Sequence, residues 1–173
     1  LNPKNNRDKL FKNITPLVRP ISIEDMRWIY GAHKLIGGTD EQKEFADKFA
    51  NQMERYPEVF IIEDRNSKFK GKWGPVCLVP CIYNGWRLEP ELQWFPWARN
   101  ENRIRSTVAF LLYCRYSRDI GITLLHIPDR FKTFFRKIKK YVTLYQSARV
   151  PGGLQSGNDN IFYVRGKKKH GLA

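Results

Sequence analysis

Residues 89–112 read EPELQWFPWARNENRIRSTVAFLL, and the fold turns on how this stretch is parsed. Glu89 to Gln93 alternates polar and apolar side chains as a half-buried strand does. It runs into an aromatic–proline corner, Trp94-Phe95-Pro96-Trp97, and then into a basic turn. From Asn100 or Asn102 the period becomes helical, with Ile104, Val108, Leu111 and Leu112 recurring at i, i+4, i+7 and i+8. Strand, kink and helix N-terminus in direct succession form a ligand-holding corner, because the first N–H groups of a helix have no intrahelical acceptor and point outward.

Upstream, Asn84-Gly85 signals a tight hairpin joining a strand over Val76–Tyr83 to its partner over Trp86–Gln93. Pro80 and Pro90 cannot donate to a ladder, so each marks a bulge or an edge. Glu58–Glu63 is a short buried strand. Before it, Ser22/Asp25 and Thr39/Gln42 have capping-box spacing and open two helices. Met26, Ile29, Tyr30 and His33 share a face of the first; Phe45, Ala46, Phe49, Ala50 and Met53 form the buried stripe of the second, which Pro57 ends. A first strand begins near Leu10, covers Val18 and stops at Pro20.

Downstream, Ile122–Ile127 (ITLLHI) reads as a central strand covered on both faces, with His126 a core histidine. A basic amphipathic helix follows, with Phe131, Phe134, Phe135 and Ile138 on one side and Lys132, Arg136, Lys137, Lys139 and Lys140 on the other. Strands over Val142–Arg149 and Asn160–Arg165, joined by a Pro-Gly-Gly loop, complete the order β-α-α-β-β-β-α-β-α-β-β. This predicts an α/β (α+β) domain: a mixed, mostly antiparallel sheet flanked by about four helices, with one parallel crossover near the middle. The expected organisation is a polar arm over 1–9, a single domain over 10–166 and a basic tail over 167–173.

Composition narrows the partners. Thirty-one Lys and Arg against 17 Asp and Glu give a net charge of +14, a field that draws polyanions such as cofactor phosphates, nucleic acid or acidic proteins. The three cysteines, Cys77, Cys81 and Cys114, read as reduced core residues. Cys77, Cys81 and a distant His126 are too few ligands for zinc, so no metal is expected. No apolar run reaches the length of a membrane span and no hydrophobic leader precedes the first charges, so neither membrane insertion nor secretion is expected.

The element order, with WFPWA feeding a helix, resembles the GCN5-related N-acetyltransferase (GNAT) fold over residues 10–166. More narrowly, E-P-x-x-x-W-F-P-W-A is similar to a segment of small GNAT-like proteins of tailed bacteriophages. The resemblance implies acetyl-CoA as cofactor. It would lie along a strand that splays from its neighbour, with its pyrophosphate wrapped by the turn at the helix N-terminus. By position, Trp94, Phe95 and Trp97 would face the pantetheine arm, and Ala98, Arg99, Asn100 and Arg103 would form the pyrophosphate turn, with Arg105 a further phosphate contact. This turn reads ARNENR, whereas the family pattern is Q/R-x-x-G-x-G/A. Asn can replace glycine's freedom at positive φ but not its close approach to phosphate.

Acetyl transfer to an amine needs a base, donors for the developing oxyanion and an acid for the leaving thiolate. Glu89 and Glu91 share a face of the strand entering the corner, where the resemblance implies the base. The acid is a tyrosine in this family; Phe135 or Arg136 stands at its place, and Tyr141 is the nearest candidate. Three readings stay open. One is a phage-type acetyl-CoA-dependent N-acyltransferase. Another is an inactive GNAT-fold structural protein, in the host cytoplasm or held by virion proteins. The third is a nucleic-acid-binding module using Lys68-Phe69-Lys70, the 132–140 basic face and Lys167–Lys169.

Overall fold

The computed structural model describes residues 15–22, 25, 58–65, 73–155 and 157–169. The two helices expected between Ser22 and Pro57, and the Lys68-Phe69-Lys70 loop, lie outside the described residues. Within them the chain runs β1 (Leu17–Pro20), β2 (Glu58–Arg65), β3 (Trp73–Tyr83), β4 (Arg87–Pro90), β5 (Gln93–Trp94), α1 (Asn100–Tyr116), β6 (Ile122–Pro128), α2 (Lys132–Ile138), β7 (Tyr145–Leu154) and β8 (Gly157–Arg165). A 3-10 turn, Asp129–Phe131, leads into α2. The strands form one sheet in the order β1-β2-β3-β4-β6-β8-β7, with β5 also on β3. Every pairing is antiparallel except β4 with β6. This is the mixed, mostly antiparallel sheet with one parallel crossover that the sequence predicts.

The crossover is α1, and its apolar face builds the core. Val108, Phe110, Leu111 and Cys114 are fully buried against Phe60, Ile62, Cys77 and Val79 of the central strands. Phe110 and Tyr113 meet the Phe60 ring edge-on at 5.8 and 5.5 Å. The α2 helix adds Phe135 and Ile138 and leaves Lys132, Arg136, Lys137 and Lys139 exposed. All three cysteines are free and buried, and burial pushes their thiol pKa values up, that of Cys114 to about 12.

Four local readings change. The tight turn after β3 has Gly85 and Trp86 at its centre, one residue later than Asn84-Gly85. Asn84 N–H donates to the Arg87 carbonyl, and the Asn84 side chain accepts from Arg87 N–H. Gly85 takes φ +83, a value that side chains resist. Pro151-Gly152-Gly153 is an irregular part of β7, and the hairpin turns between Leu154 and Gly157 instead.

The strand expected over Trp86–Gln93 is broken at Glu91-Leu92. Cys81 pairs with Pro90 and Leu78 with Gln93, so Glu91 falls opposite Pro80. Glu91 N–H donates to the Pro80 carbonyl at 2.9 Å, but Pro80 has no N–H to return, and the ladder stops there. The fourth change concerns β6. Thr123, Leu125 and Ile127 are buried, while Ile122, Leu124, His126 and Pro128 on the other face are partly or well exposed. His126 is therefore not a core histidine.

Candidate active site

The sheet opens where its parallel pair ends. Only Arg87 with Ile122 and Leu88 with Thr123 pair between β4 and β6; beyond them the two strands diverge. Glu91 and Phe95 donate their N–H groups to Pro80 and Val76 of β3. By period-two alternation the backbone groups of Pro90, Leu92 and Trp94 then point the other way, into the opening. The resulting cleft of about 550 Å³ is lined from β4–β5 by Glu89, Pro90, Glu91, Leu92 and Trp94, from β6 by Leu125 to Pro128, and from the turn and α2 by Arg130, Phe131 and Phe135. That volume lies within the usual range for small-molecule sites.

Alternation also sorts the lining by chemistry. Pro90, Leu92, Trp94, Leu125 and Ile127 share the face that carries α1 and α2, making that half apolar. Glu89, Glu91, His126 and Pro128 share the opposite face, and Asp159 of β8, paired with Pro128, joins them. Glu89 accepts from Arg87 Nε at 2.8 Å and lies 3.7 Å from His126 Nε2. His126 Nδ1 is 2.6 Å from Asp159 Oδ2. The end of β6 is pinned by Asn160 Nδ2, which donates to the Ile127 carbonyl and to Asp129. Lys132 at 2.7 Å, with Asn160 and Asn158, holds the Asp129 carboxyl well below the usual range.

The predicted corner residues have definite places. Trp94 lines the cleft, donates through Nε1 to Ser106 Oγ at 3.3 Å and meets Phe134 edge-on at 5.6 Å. Phe95 and Trp97 stack at 4.8 Å, and Trp97 Nε1 donates to the Pro75 carbonyl at 2.8 Å. Ala98 is buried and its N–H donates to Phe95 O. Arg99 precedes α1, and its N–H donates to Asn102 Oδ1 at 3.1 Å; Asn100 is the exposed first residue of α1. Arg103 donates to the Ala98 carbonyl and lies over the Trp94 ring.

Two expectations for this region change. Arg105 is no phosphate contact: it is buried and donates through Nε and Nη2 to Asp64, both at 3.0 Å. Tyr141 lies in the turn after α2, half-buried against the core, and does not line the cleft.

Sequence reasoning did not find the His126–Asp159 pair or the Asp64–Asn102–Arg105 cluster. The first joins two strands across 33 residues of sequence, and the second joins β2 to α1 across 38 and 41. The one local signal was Asp159 between two asparagines in a segment otherwise apolar toward its end. Among the described residues no group of His, Cys, Asp and Glu could hold a metal ion, and no helix is long and apolar enough to cross a membrane.

No protein-family model and no curated protein matches this sequence. Solved structures do resemble it. Spermidine N-acetyltransferase from Vibrio cholerae, in complex with CoA and spermine, superposes with a TM-score of 0.59 at 14% identity, over 90% of this chain and 98% of that one. A chimeric form of the enzyme gives 0.60 at 11% identity, over 87% and 96%. A point mutant gives 0.58 at 12% identity, over 86% and 94%. At these identities the likeness speaks for the fold, and with the sheet order and the splayed parallel pair it shows that this chain has the GNAT fold.

Proposed function

We propose that the chain is an acetyl-CoA-dependent N-acyltransferase acting on an amine. The observation that carries this reading is the divergence of β4–β5 from β6, which opens a cleft with an apolar half on the helix side and an ionisable half on the other. An acyl thioester and its flexible arm fit the apolar half, where the backbone groups of Leu92 and Trp94 offer hydrogen bonds along the wall. The pyrophosphate would lie at the start of α1, where first-turn N–H groups and the Arg99 and Arg103 side chains supply positive potential. Without a glycine the backbone from Ala98 to Arg103 cannot come as close to phosphate, so these side chains carry more of the contact.

On the other side, Glu89 and Glu91 give the cleft two carboxylates. They attract the ammonium form of an acceptor and are basic groups within reach of its proton. When bound, acetyl-CoA supplies the activated acyl group; the chain orients it, excludes water with Trp94, Phe131 and Phe135, and removes the amine's proton. The E-P-x-x-x-W-F-P-W-A segment supports a phage-type protein, acting in a host cytoplasm or with virion proteins.

Isothermal titration with acetyl-CoA tests the reading. Saturable heat is expected, and no heat at millimolar ligand refutes it. Three observations favour the second reading, a GNAT-fold protein without turnover: the turn lacks glycine, Arg105 is bound to Asp64, and Tyr141 does not line the cleft. Constant copy number in purified particles, with no acetyl-CoA heat, would support it.

A further inference from the structure

The cleft holds a titratable group that the fold resemblance does not supply. His126 sits on the ionisable wall, 39% exposed at its side chain, between two carboxylates of unlike surroundings. Asp159 is 4% exposed, and its Oδ2 lies 2.6 Å from His126 Nδ1. Its other oxygen, Oδ1, is buried and has no hydrogen-bond partner among the described residues. A buried carboxylate so placed is stabilised chiefly by a donor, which requires a proton on Nδ1. In the neutral ring Nε2 is then the lone-pair nitrogen, and it faces the cleft. Glu89 Oε2, 3.7 Å from Nε2, stands ready to stabilise the ring once Nε2 gains a proton.

We propose that His126 is the general base of this cleft and that Asp159 is its positioning residue. The proposal rests on the acyltransferase reading and names the group that performs its proton transfer. The ammonium of the acceptor gives one proton to His126 Nε2. The freed nitrogen lone pair forms the new C–N bond at the thioester carbonyl as the C–S bond breaks, and the departing thiolate takes the nitrogen's second proton. His126 returns its proton to water, so each turnover yields amide, free thiol and one proton. Among the described residues, the charged groups facing His126 are Glu89 and Glu91 on the β4 side, Asp159 on β8 and Arg130 on the turn before α2.

The first test needs no ligand. Two-bond ¹H–¹⁵N correlation spectra of the wild-type protein report the tautomer of each of its three histidines, and H126Q identifies the His126 signals. Nδ1–H with bare Nε2 is expected, moving toward Nε2–H in D159N. Kinetically, H126Q should lower kcat/KM by about 10²- to 10⁴-fold. It should also abolish the one-proton acid limb of the pH profile while leaving acetyl-CoA affinity by titration unchanged. D159N should lower kcat with little change in that affinity. Wild-type His126 protonated at Nε2, or H126Q with unchanged kcat/KM and pH profile, overturns the proposal alone. Failure of the wild-type chain to bind acetyl-CoA brings down the acyltransferase reading, and this proposal with it.

Discussion

Asp64 offers the sharpest test of how the site is held. It is fully buried in β2 and accepts from Arg105 Nε and Nη2 at 3.0 Å, from Asn102 Nδ2 at 3.0 Å and from Arg65 N–H at 2.9 Å. Asn102 also donates to the Arg65 carbonyl at 2.6 Å and accepts from Arg99 N–H. One carboxylate thus ties the start of α1, beside the cleft, to β2. The variant D64N removes the charge and turns one oxygen into a donor facing other donors, and it takes the Asp64 charge from the buried Arg105 guanidinium. Breaking one side of a buried ion pair costs about 3–5 kcal/mol. With a urea slope of about 2 kcal/mol/M, the midpoint of unfolding should fall by roughly 1.5–2.5 M. R105M should cost a similar amount, and D64N/R105M far less than the sum of the two, because each single change already removes the Asp64–Arg105 ion pair. Urea titration of the four proteins by circular dichroism decides it. A loss below about 1 kcal/mol in D64N, or additive losses, would refute the reasoning.

Three further outcomes are expected. Replacing both cleft carboxylates, E89Q/E91Q, should lower kcat/KM for a cationic amine by about tenfold or more, mainly through a higher KM, without changing acetyl-CoA affinity; parallel kinetics and titration check this. Arg19, with Ser22, holds Asp25 down to about 2 from an ordinary 3.8. A depressed carboxyl contributes stability that is whole above pH ~4 and is lost as pH falls through about 2, so D25N should flatten the acid limb of a stability–pH curve. In G121A the new methyl would stand 2.2 Å from the Trp86 ring nitrogen, and overpacking of this kind costs about 1–3 kcal/mol in a thermal melt.

The strands and helices around the corner were legible because local patterns mark them. The i, i+4, i+7, i+8 apolar positions from Ile104 to Leu112 belong to α1, and of the aromatic face over 131–138 Phe134 and Phe135 belong to α2 while Phe131 ends the 3-10 turn before it. The reading of ITLLHI as a two-face buried strand failed because apolarity shows what a residue tolerates and not what covers it; Leu124 stands on the same face as exposed His126. Glu89 and Glu91 could be placed on one wall by alternation alone. That His126 faces them depends on the parallel β4–β6 register, and that Asp159 backs it depends on β8 pairing with β6. Neither register leaves a trace in the local sequence. Arg105 was misread for a related reason, since its partner lies 41 residues away.

Pro80 has a consequence beyond interrupting a ladder. Glu91 and Leu92 form the cleft wall, yet the strand behind them lacks the donor that would complete their pairing. The missing bond is a property of the imino acid and cannot be restored by changing any residue of the wall itself. Pairing on either side, at Pro90 and Gln93, fixes the ends of a short span whose middle is held by a single hydrogen bond. That span is a built-in point of compliance. It lets the wall yield while the sheet on both sides keeps its register.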